Sequence, residues 1–519
     1  MVTHDDAPLL IEKLIQYANR ELSLDPLDNC YVRNELCDLM RCEAEPRNYP
    51  LIDQIVDFFF EVTTPLCDIA VQIGLIDEEG RDRFQTKLFG MVTPRPAQIV
   101  DEFDRIANLE GIKNATNWFY DLCCKNNYIR TRQLRRNKII QYSDEKNGDL
   151  VITINLSKPE KDPREIAKAK LISSDYPTCM LCVENEGYSG RPGYPARNNL
   201  RIIPFVLDDE QWRMQYSPYG YFDQHCIVFS EDHHAMHLNR GAFTRMIEFV
   251  ELIPHYFVGS NAPLPIVGGS ILSHDHYQGG SKVHPMFKRK LRESFTHRKF
   301  PGVKIGIVDW YNSVIRLRSK KKDNLINCIM HIFNSWENYS DESVGIIAKS
   351  GETPHNTVTP IVRLERGEYW CELILRNNRT DSEHPYGIFH PTEDMHNVKK
   401  ENIGLIEAIG TFILPGRLDA EIKGIVDILS GEAPYDEVAL NNPKNPLYKH
   451  KFVIDKMLSR YGKTGVTGAR TNITKYIQKT CVKVIECTAV FKKTKKGRDA
   501  FAQFMDYLGC KKVDAENKE

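Results

Sequence analysis

The period of the apolar residues changes near Asp149, from a mostly helical stretch to one in which strands and helices are mixed, and that change restricts the chain to folds that combine both. Before it, LLIEKLIQYANREL, YPLIDQIVDFFFEVTTPLCDIAVQIGLI and PAQIVDEFDRIANLEGIKNATNWFYDLC place apolar side chains three and four residues apart, the spacing of one helix face. From Asp149, DLVITINLS alternates apolar and polar residues, the two-residue period of a half-buried strand. NLRIIPFVL, QHCIVFS, VKIGIVDW, TPIVRLERG and EYWCELILRNN continue in the strand pattern. Helices are expected after the charged turn KPEKDP, over about Ala242 to Phe257 with Phe243, Met246, Ile247 and Val250 on one side, and in KKENIGLIEAIGTFIL. The expected class is α+β: a helical N-terminal region at 1–148, α+β units at 149–300 and 301–440, and a helical, basic extension at 441–519. The two middle units read as diverged copies of one fold.

The segment from Pro265 to Gly280, PIVGGSILSHDHYQGG, carries the densest chemistry. In an extended chain His274, His276 and Gln278 share one face, and Asp275 and Tyr277 take the other. Two imidazoles and a carboxamide therefore converge. A neutral imidazole attacks phosphorus or binds a metal, and an amide N–H binds a phosphate oxygen without adding charge. Glycine pairs on both sides let backbone approach a bulky anion and offer unshielded N–H groups. The combination reads as phosphate chemistry on a histidine, against the plainer alternative of a sheet edge with surface histidines.

Charge narrows the partners. Lys and Arg (69) nearly cancel Asp and Glu (70), for a formal net charge of −1, which gives no electrostatic case for nucleic acid or an acidic membrane. The start of the sequence, MVTHDDAPLLIEKL, lacks a basic region followed by an apolar core, and no stretch has the uninterrupted apolar length of a membrane span, so a cytoplasmic protein is expected. Most of the fourteen cysteines read as reduced core thiols, such as Cys226 and Cys371. Cys179 and Cys182 differ. Their C-x-x-C spacing suits chelation of one ion by two thiolates, with His233 and His274 as downstream partners for a closed Cys₂His₂ site of structural role. Redox chemistry or two unrelated core cysteines are the competing readings. GKTG at 462–465 and the glycines of GYSGRPG match no phosphate or dinucleotide loop.

These segments, with INLSKPEKDP, the stretch from CMLCVENEGY to QYSPY, HPYGIFHP and KKENIGLIEAIGTFILPGRL, closely resemble class II galactose-1-phosphate uridylyltransferases, and more remotely the histidine-triad superfamily. The resemblance implies two histidine-triad-like half-barrel units. It implies UMP exchange between UDP-glucose and galactose 1-phosphate, giving glucose 1-phosphate and UDP-galactose, with no organic cofactor and a homodimer as the assembly. By the same resemblance His276 is the nucleophile and Gln278 binds the uridylyl phosphate. The zinc ligands of related enzymes match Cys179, Cys182, His233 and His274. Asp275 and Tyr277 stand where class I enzymes have Pro and Gly.

The candidate substrate contacts are backbone N–H groups at Gly269 and Ser270, and His355 and Arg417 in loops shared with the family; the Asn-Asp pair that grips the uridine in class I enzymes has no clear counterpart, and Asn199, beside Asn198 in a loop, is the candidate there. The plainer reading of the loops that carry His355 and Arg417, Thr353 to Arg363 and Leu414 to Leu418, is as turns supporting the sheet. His384, His390 and His396 are expected in surface or core roles. Three rivals remain at this level: a histidine-triad nucleotide hydrolase or phosphorylase, a metal-dependent hydrolase using the H-x-H pair, and a non-catalytic zinc-stabilised binding protein.

Overall fold

A computed structural model of the chain describes residues 2–43, 58–157, 176–269 and 271–513. They divide into two compact units, neither of them continuous in sequence. The first takes Met1–Arg132, Pro159–Gly220 and Cys226–His233; the second takes Gln133–Lys158, Tyr221–His225 and His234–Glu519. The fold is α+β, as the period change predicts, and no helix of the described residues is long and apolar enough to cross a membrane.

In the first unit, helices Ala7–Glu21, Asn29–Met40, Thr64–Gln72, Arg81–Val92, Pro96–Glu110 and Ile112–Lys125 occupy the stretch with three-and-four spacing. Pro96–Glu110 shows the local logic. Pro96 sits in the first turn, where a missing N–H costs nothing, and the Gln98 side-chain oxygen accepts from the Arg95 backbone N–H at 2.9 Å. Ile99, Phe103 and Ile106 then recur on one face and are buried. Strands Ile203–Leu207, Glu210–Tyr216 and Cys226–Ser230 form an antiparallel meander. Its first hairpin turns on Asp208 and Asp209 at φ +52° and +59°, the left-handed pair that a two-residue hairpin needs. Tyr216 is fully buried; its hydroxyl donates to the Thr116 carbonyl at 2.8 Å and its ring lies 5.3 Å from Phe119. Those contacts fix helix Ile112–Lys125 on the meander.

The second unit runs its strands in the order Cys510–Lys512, Leu291–His297, Lys304–Val308, Val314–Ser319, Glu368–Asn377, Asn356–Glu365, Tyr256–Gly259 and His276–Ser281, each neighbouring pair antiparallel. Helix Lys322–Glu337 packs against strands Val314–Ser319 and Asn356–Glu365, and helix Arg240–Leu252 against Tyr256–Gly259 and Asn356–Glu365. A smaller mixed sheet pairs Lys138–Tyr142 with Leu150–Asn155, and Leu150–Asn155 in parallel with Thr411–Pro415. Ile152, Ile154, Phe412 and Leu414 of that sheet share one apolar cluster with Ile425, Val426 and Leu429 of helix Arg417–Ser430 and with Ile473, Ile477 and Val484 of helix Val466–Thr488. Each such side chain contributes ~1.5–3 kcal/mol of burial, an upper figure because unfolded chains are themselves partly compact.

Three local expectations are corrected. The helix expected to reach Phe257 stops at Leu252, because Pro254 disfavours helical backbone before it, and Tyr256–Gly259 becomes a strand. In KKENIGLIEAIGTFIL only Leu405–Ala408 is α-helical. Beyond Gly410, Thr411–Pro415 is a strand, since Thr411, Phe412 and Ile413 suit a pleated surface beside Leu150–Asn155. The extended segment around the two histidines begins only at His276, with His274 in a bend before it. The short helix expected after KPEKDP lies outside the described residues.

One polar group is sealed inside the large sheet. Glu372 is 0 % exposed and faces Arg316 across the strand pair, whose Nε donates to its Oε1 at 2.6 Å; Arg363 Nη1 donates to the other oxygen. The Arg363 guanidinium also lies 4.6 Å from the centre of the Phe287 ring and 4.5 Å from that of Trp370. Burial acts to raise the Glu372 pKa, but the charges of Arg363 and Arg316 outweigh it and hold the carboxyl below its ordinary value. Glu372→Gln leaves the buried Arg316 guanidinium without a counter-charge and Arg363 with Glu365 alone. It should therefore cost ~3–5 kcal/mol, read as the shift in denaturation midpoint at constant slope; an unchanged midpoint would refute the assigned role.

Candidate active site

The histidine strand is placed by the loop before it and by a close crossing behind it. After strand Tyr256–Gly259, residues Ser260–Gly269 turn back on themselves, and a Cβ at Gly269 would lie 2.4 Å from Asn261 Nδ2. Asn261 Oδ1 also accepts from the Leu405 backbone N–H at 2.9 Å, so the loop leans on a side chain that is already engaged. Strand His276–Ser281 then pairs with Tyr256–Gly259, Gly259 opposite Gln278 and Phe257 opposite Gly280. Gly280 has φ +142°, and a Cβ there would lie 2.6 Å from the Gln224 carbonyl oxygen. That glycine lets segment Tyr221–His225 cross directly over the strand. His225 Nε2 thereby comes to 3.1 Å from Gln278 Oε1.

His276 is 5 % exposed, and its Nδ1 lies 2.8 Å from the His274 carbonyl oxygen. A carbonyl only accepts, so Nδ1 carries the proton and Nε2 keeps the lone pair. Among the described residues Nε2 has no hydrogen-bond partner, and it is not one of the buried unsatisfied atoms, so it reaches open space. Burial pushes the ring down to about 4, against the opposing bond to His274, which leaves a neutral imidazole at physiological pH. On the opposite face, as the alternation predicts, Asp275 and Tyr277 meet Arg245 of helix Arg240–Leu252. Arg245 Nε donates to the Tyr277 hydroxyl at 3.1 Å, and Nη2 lies 3.7 Å from Asp275.

The thiol donors sit in a rigid turn. Asn185 Nδ2 donates to the carbonyls of Cys179 and Cys182 at 2.8 Å each, and the Tyr194 hydroxyl donates to the Cys179 carbonyl at 3.0 Å. Cys182 Sγ lies 3.5 Å from Cys179 Sγ and 3.1 Å from His233 Nδ1. Cys179, Cys182 and His233 of the first unit each offer one donor atom, and these three atoms all lie within 4.8 Å of one another. A tetrahedral zinc with bonds of about 2.0–2.3 Å holds its donors roughly 3.3–3.8 Å apart, so the chemistry and spacing of this set fit the ion.

The other expected contacts have settled partners. Asn199 is 3 % exposed and donates from Nδ2 to the Asn126 carbonyl at 2.9 Å, while Asn126 Nδ2 donates back to the Asn199 carbonyl at 2.7 Å. Both ring nitrogens of His355 are engaged, Nδ1 with Asn378 Oδ1 at 2.9 Å and Nε2 with Ser350 Oγ at 2.8 Å. Arg417 Nη1 donates to Glu421 at 2.6 Å. Ser270 lies outside the described residues.

Two residues of this neighbourhood escaped the sequence reading. His225 sits one position before an apolar strand, and nothing in QHCIVFS announces a bond to Gln278. His284 is 1 % exposed, with Nδ1 2.9 Å from the Thr411 hydroxyl and the rings of Phe222 and Phe257 at 4.6 and 4.9 Å. Its only signal is a lone histidine before Pro285.

Comparison with known proteins shows what the chain is similar to. The model of the galactose-1-phosphate uridyl transferase N-terminal domain matches residues 35–235, and that of the C-terminal domain matches residues 249–426. A galactose-1-phosphate uridylyltransferase of Caldanaerobacter subterraneus is 44 % identical over 99 % of this chain and 100 % of its own length. That of Fusobacterium nucleatum is 43 % identical over 96 % of this chain and 98 % of its own. The Bacillus subtilis protein of the same name is 41 % identical over 98 % and 99 %. A crystal structure of yeast Ap4A phosphorylase Apa2 aligns over 56 % of this chain and 84 % of that one at 13 % identity, with a TM-score of 0.26, too loose a superposition to argue from.

The buried histidines set an acid limit. Burial pushes His225 down to about 4 and His284 to about 3, from an ordinary 6.5. Above 6.5 both are neutral, folded or unfolded, and contribute no pH dependence. Below it the unfolded chain takes up protons that the folded chain refuses, so stability falls by ~1.4 kcal/mol per pH unit for each ring. The thermal midpoint should drop between pH 7 and pH 5, and His284→Gln should flatten that slope by one proton's worth. An identical slope in the variant would contradict the assignment.

Proposed function

The chain belongs to the galactose-1-phosphate uridylyltransferase family, and from that premise we propose that His276 Nε2 is the atom that carries UMP between the two sugar phosphates. The activity is that of a UDP-glucose–hexose-1-phosphate uridylyltransferase: UDP-glucose and galactose 1-phosphate give glucose 1-phosphate and UDP-galactose. In the proposed course, the Nε2 lone pair attacks the α-phosphorus of UDP-glucose. The P–N bond forms as the bond to the bridging oxygen breaks, and glucose 1-phosphate leaves with that electron pair. A phosphate oxygen of galactose 1-phosphate then attacks the same phosphorus and returns Nε2 its lone pair. This is double displacement through a covalent intermediate.

The observation that carries the reading is the bond from His276 Nδ1 to the His274 carbonyl. It fixes the tautomer that exposes Nε2, and the carbonyl dipole then faces the ring at the moment the ring gains positive charge. Both departing and attacking groups are phosphate oxygens of low basicity, so no strong general acid is required. Catalysis rests on position and on donors aimed at the phosphoryl oxygens. Gln278 Nε2 supplies one such donor, and the Gly269 backbone N–H is proposed as another. Asn199, His355 and Arg417 are left out of the proposed contacts because Asn126, Asn378 with Ser350, and Glu421 engage them. A cytoplasmic homodimer with no nucleic-acid or membrane partner completes the proposal.

Incubation with UDP-glucose labelled in its α-phosphate should leave label on the protein that is stable to alkali, lost in acid, and released by galactose 1-phosphate. His276→Gly should take up none. Label on that variant at the wild-type rate would end the proposal, and a metal-dependent hydrolase would form no labelled protein at all. Gln278→Ala should still turn over, at a rate about 10²–10³ lower, the usual cost of one phosphoryl-oxygen donor.

We propose zinc for the Cys179, Cys182, His233 and His274 donors, where it would close a tetrahedral, structural site. Elemental analysis should find one zinc per chain. Cys182→Ser should lose the metal and lower the thermal midpoint, and a metal-free wild-type protein of undiminished midpoint would rule out the structural role.

A further inference from the structure

We infer that His225 is a positioning residue for the transfer: it donates from Nε2–H to Gln278 Oε1 and so turns the amide N–H groups of Gln278 toward the substrate phosphoryl. The inference rests on the proposed reading of Gln278 as a phosphoryl-oxygen donor and adds what makes it one.

A carboxamide is nearly symmetric in shape and opposite in function at its two ends. With Nε2 forward, Gln278 stabilises an anionic oxygen; with Oε1 forward, it repels one. Nothing in the strand itself chooses between them. His225 does. Its ring nitrogen lies 3.1 Å from Oε1, and no described residue accepts from the Gln278 N–H₂. The reversed arrangement would need His225 protonated on Nδ1, an atom sealed from solvent with no partner, so a buried N–H would go unpaired. With the proton on Nε2, only a lone pair is left there.

The ring is held as well as aimed. His225 is 2 % exposed, with Phe222 at 4.5 Å and Tyr221 stacked at 5.5 Å and 24°. Its backbone is fixed by the crossing at Gly280, where Gln224 leaves no room for a Cβ. Burial also keeps the ring neutral, which preserves a single donor at Nε2.

The test is a double-mutant cycle read by single-turnover transfer of label from UDP-glucose to the protein. His225→Phe keeps the aromatic packing and removes the donor, while His225→Gln retains one. Loss of one orienting bond should slow label transfer about three- to tenfold in His225→Phe, at nearly unchanged KM, with partial recovery in His225→Gln. In the Gln278→Ala background the same His225→Phe change should add nothing. If His225→Phe slows Gln278→Ala by its full factor, or leaves the wild type unchanged, the inference fails while the role of Gln278 stands. If Gln278→Ala is itself as fast as wild type, the reading of Gln278 fails first. Should His225→Phe fold poorly, as circular dichroism would reveal, His225→Gln and His225→Asn complete the cycle: additivity in either one overturns the inference.

Discussion

The bond between the His276 ring and the carbonyl two residues before it is the constraint on which the rest of the site depends. It is short in sequence, and it forms only if the chain bends at His274 and straightens at His276. The bend needs the loop from Ser260 to fold tightly enough for Gly269 to touch Asn261, and the straight part needs Tyr256–Gly259 alongside. Helix Arg240–Leu252 braces the far side through Arg245. The sheet, the helix and the glycine loop together set one proton on one nitrogen.

The second unit treats its buried polar groups in two opposite ways. Around Glu372 it keeps full charge and surrounds it with two guanidinium groups and aromatic faces. Around His225, His276 and His284 it keeps imidazoles neutral by withholding both water and counter-charge. The first arrangement tolerates acid until the carboxyl titrates; the second yields as soon as the unfolded chain can take up protons. A nucleophile needs the second kind of surrounding, because a protonated ring has no lone pair to offer.

Much of this was legible from residue order. The change of period at Asp149 fixed the α+β class, and the alternation around Asp275 and Tyr277 placed them opposite His276. The C-x-x-C spacing singled out two thiols that lie together beside His233. What escaped depended on tertiary approach. His225 meets Gln278 only because Gly280 admits another stretch of backbone, and a pairing across that crossing leaves no local trace. The segment after Gly410 carries residues that suit either a buried helix or a buried strand, and Leu150–Asn155 as its neighbour decided for the strand. Asn199 looked available in a loop, yet its amide closes a reciprocal pair with Asn126.

The parallel pairing of Leu150–Asn155 with Thr411–Pro415 has a consequence for the order in which the molecule can be made. As the chain leaves the ribosome, the earlier strand emerges long before its partner is translated, with Ile152 and Ile154 lacking the helices that later cover them. Completion of the second unit therefore waits for its C-terminal helices. A nascent chain halted before Thr411 would present an adhesive, unpaired edge, the kind of surface that chaperones bind.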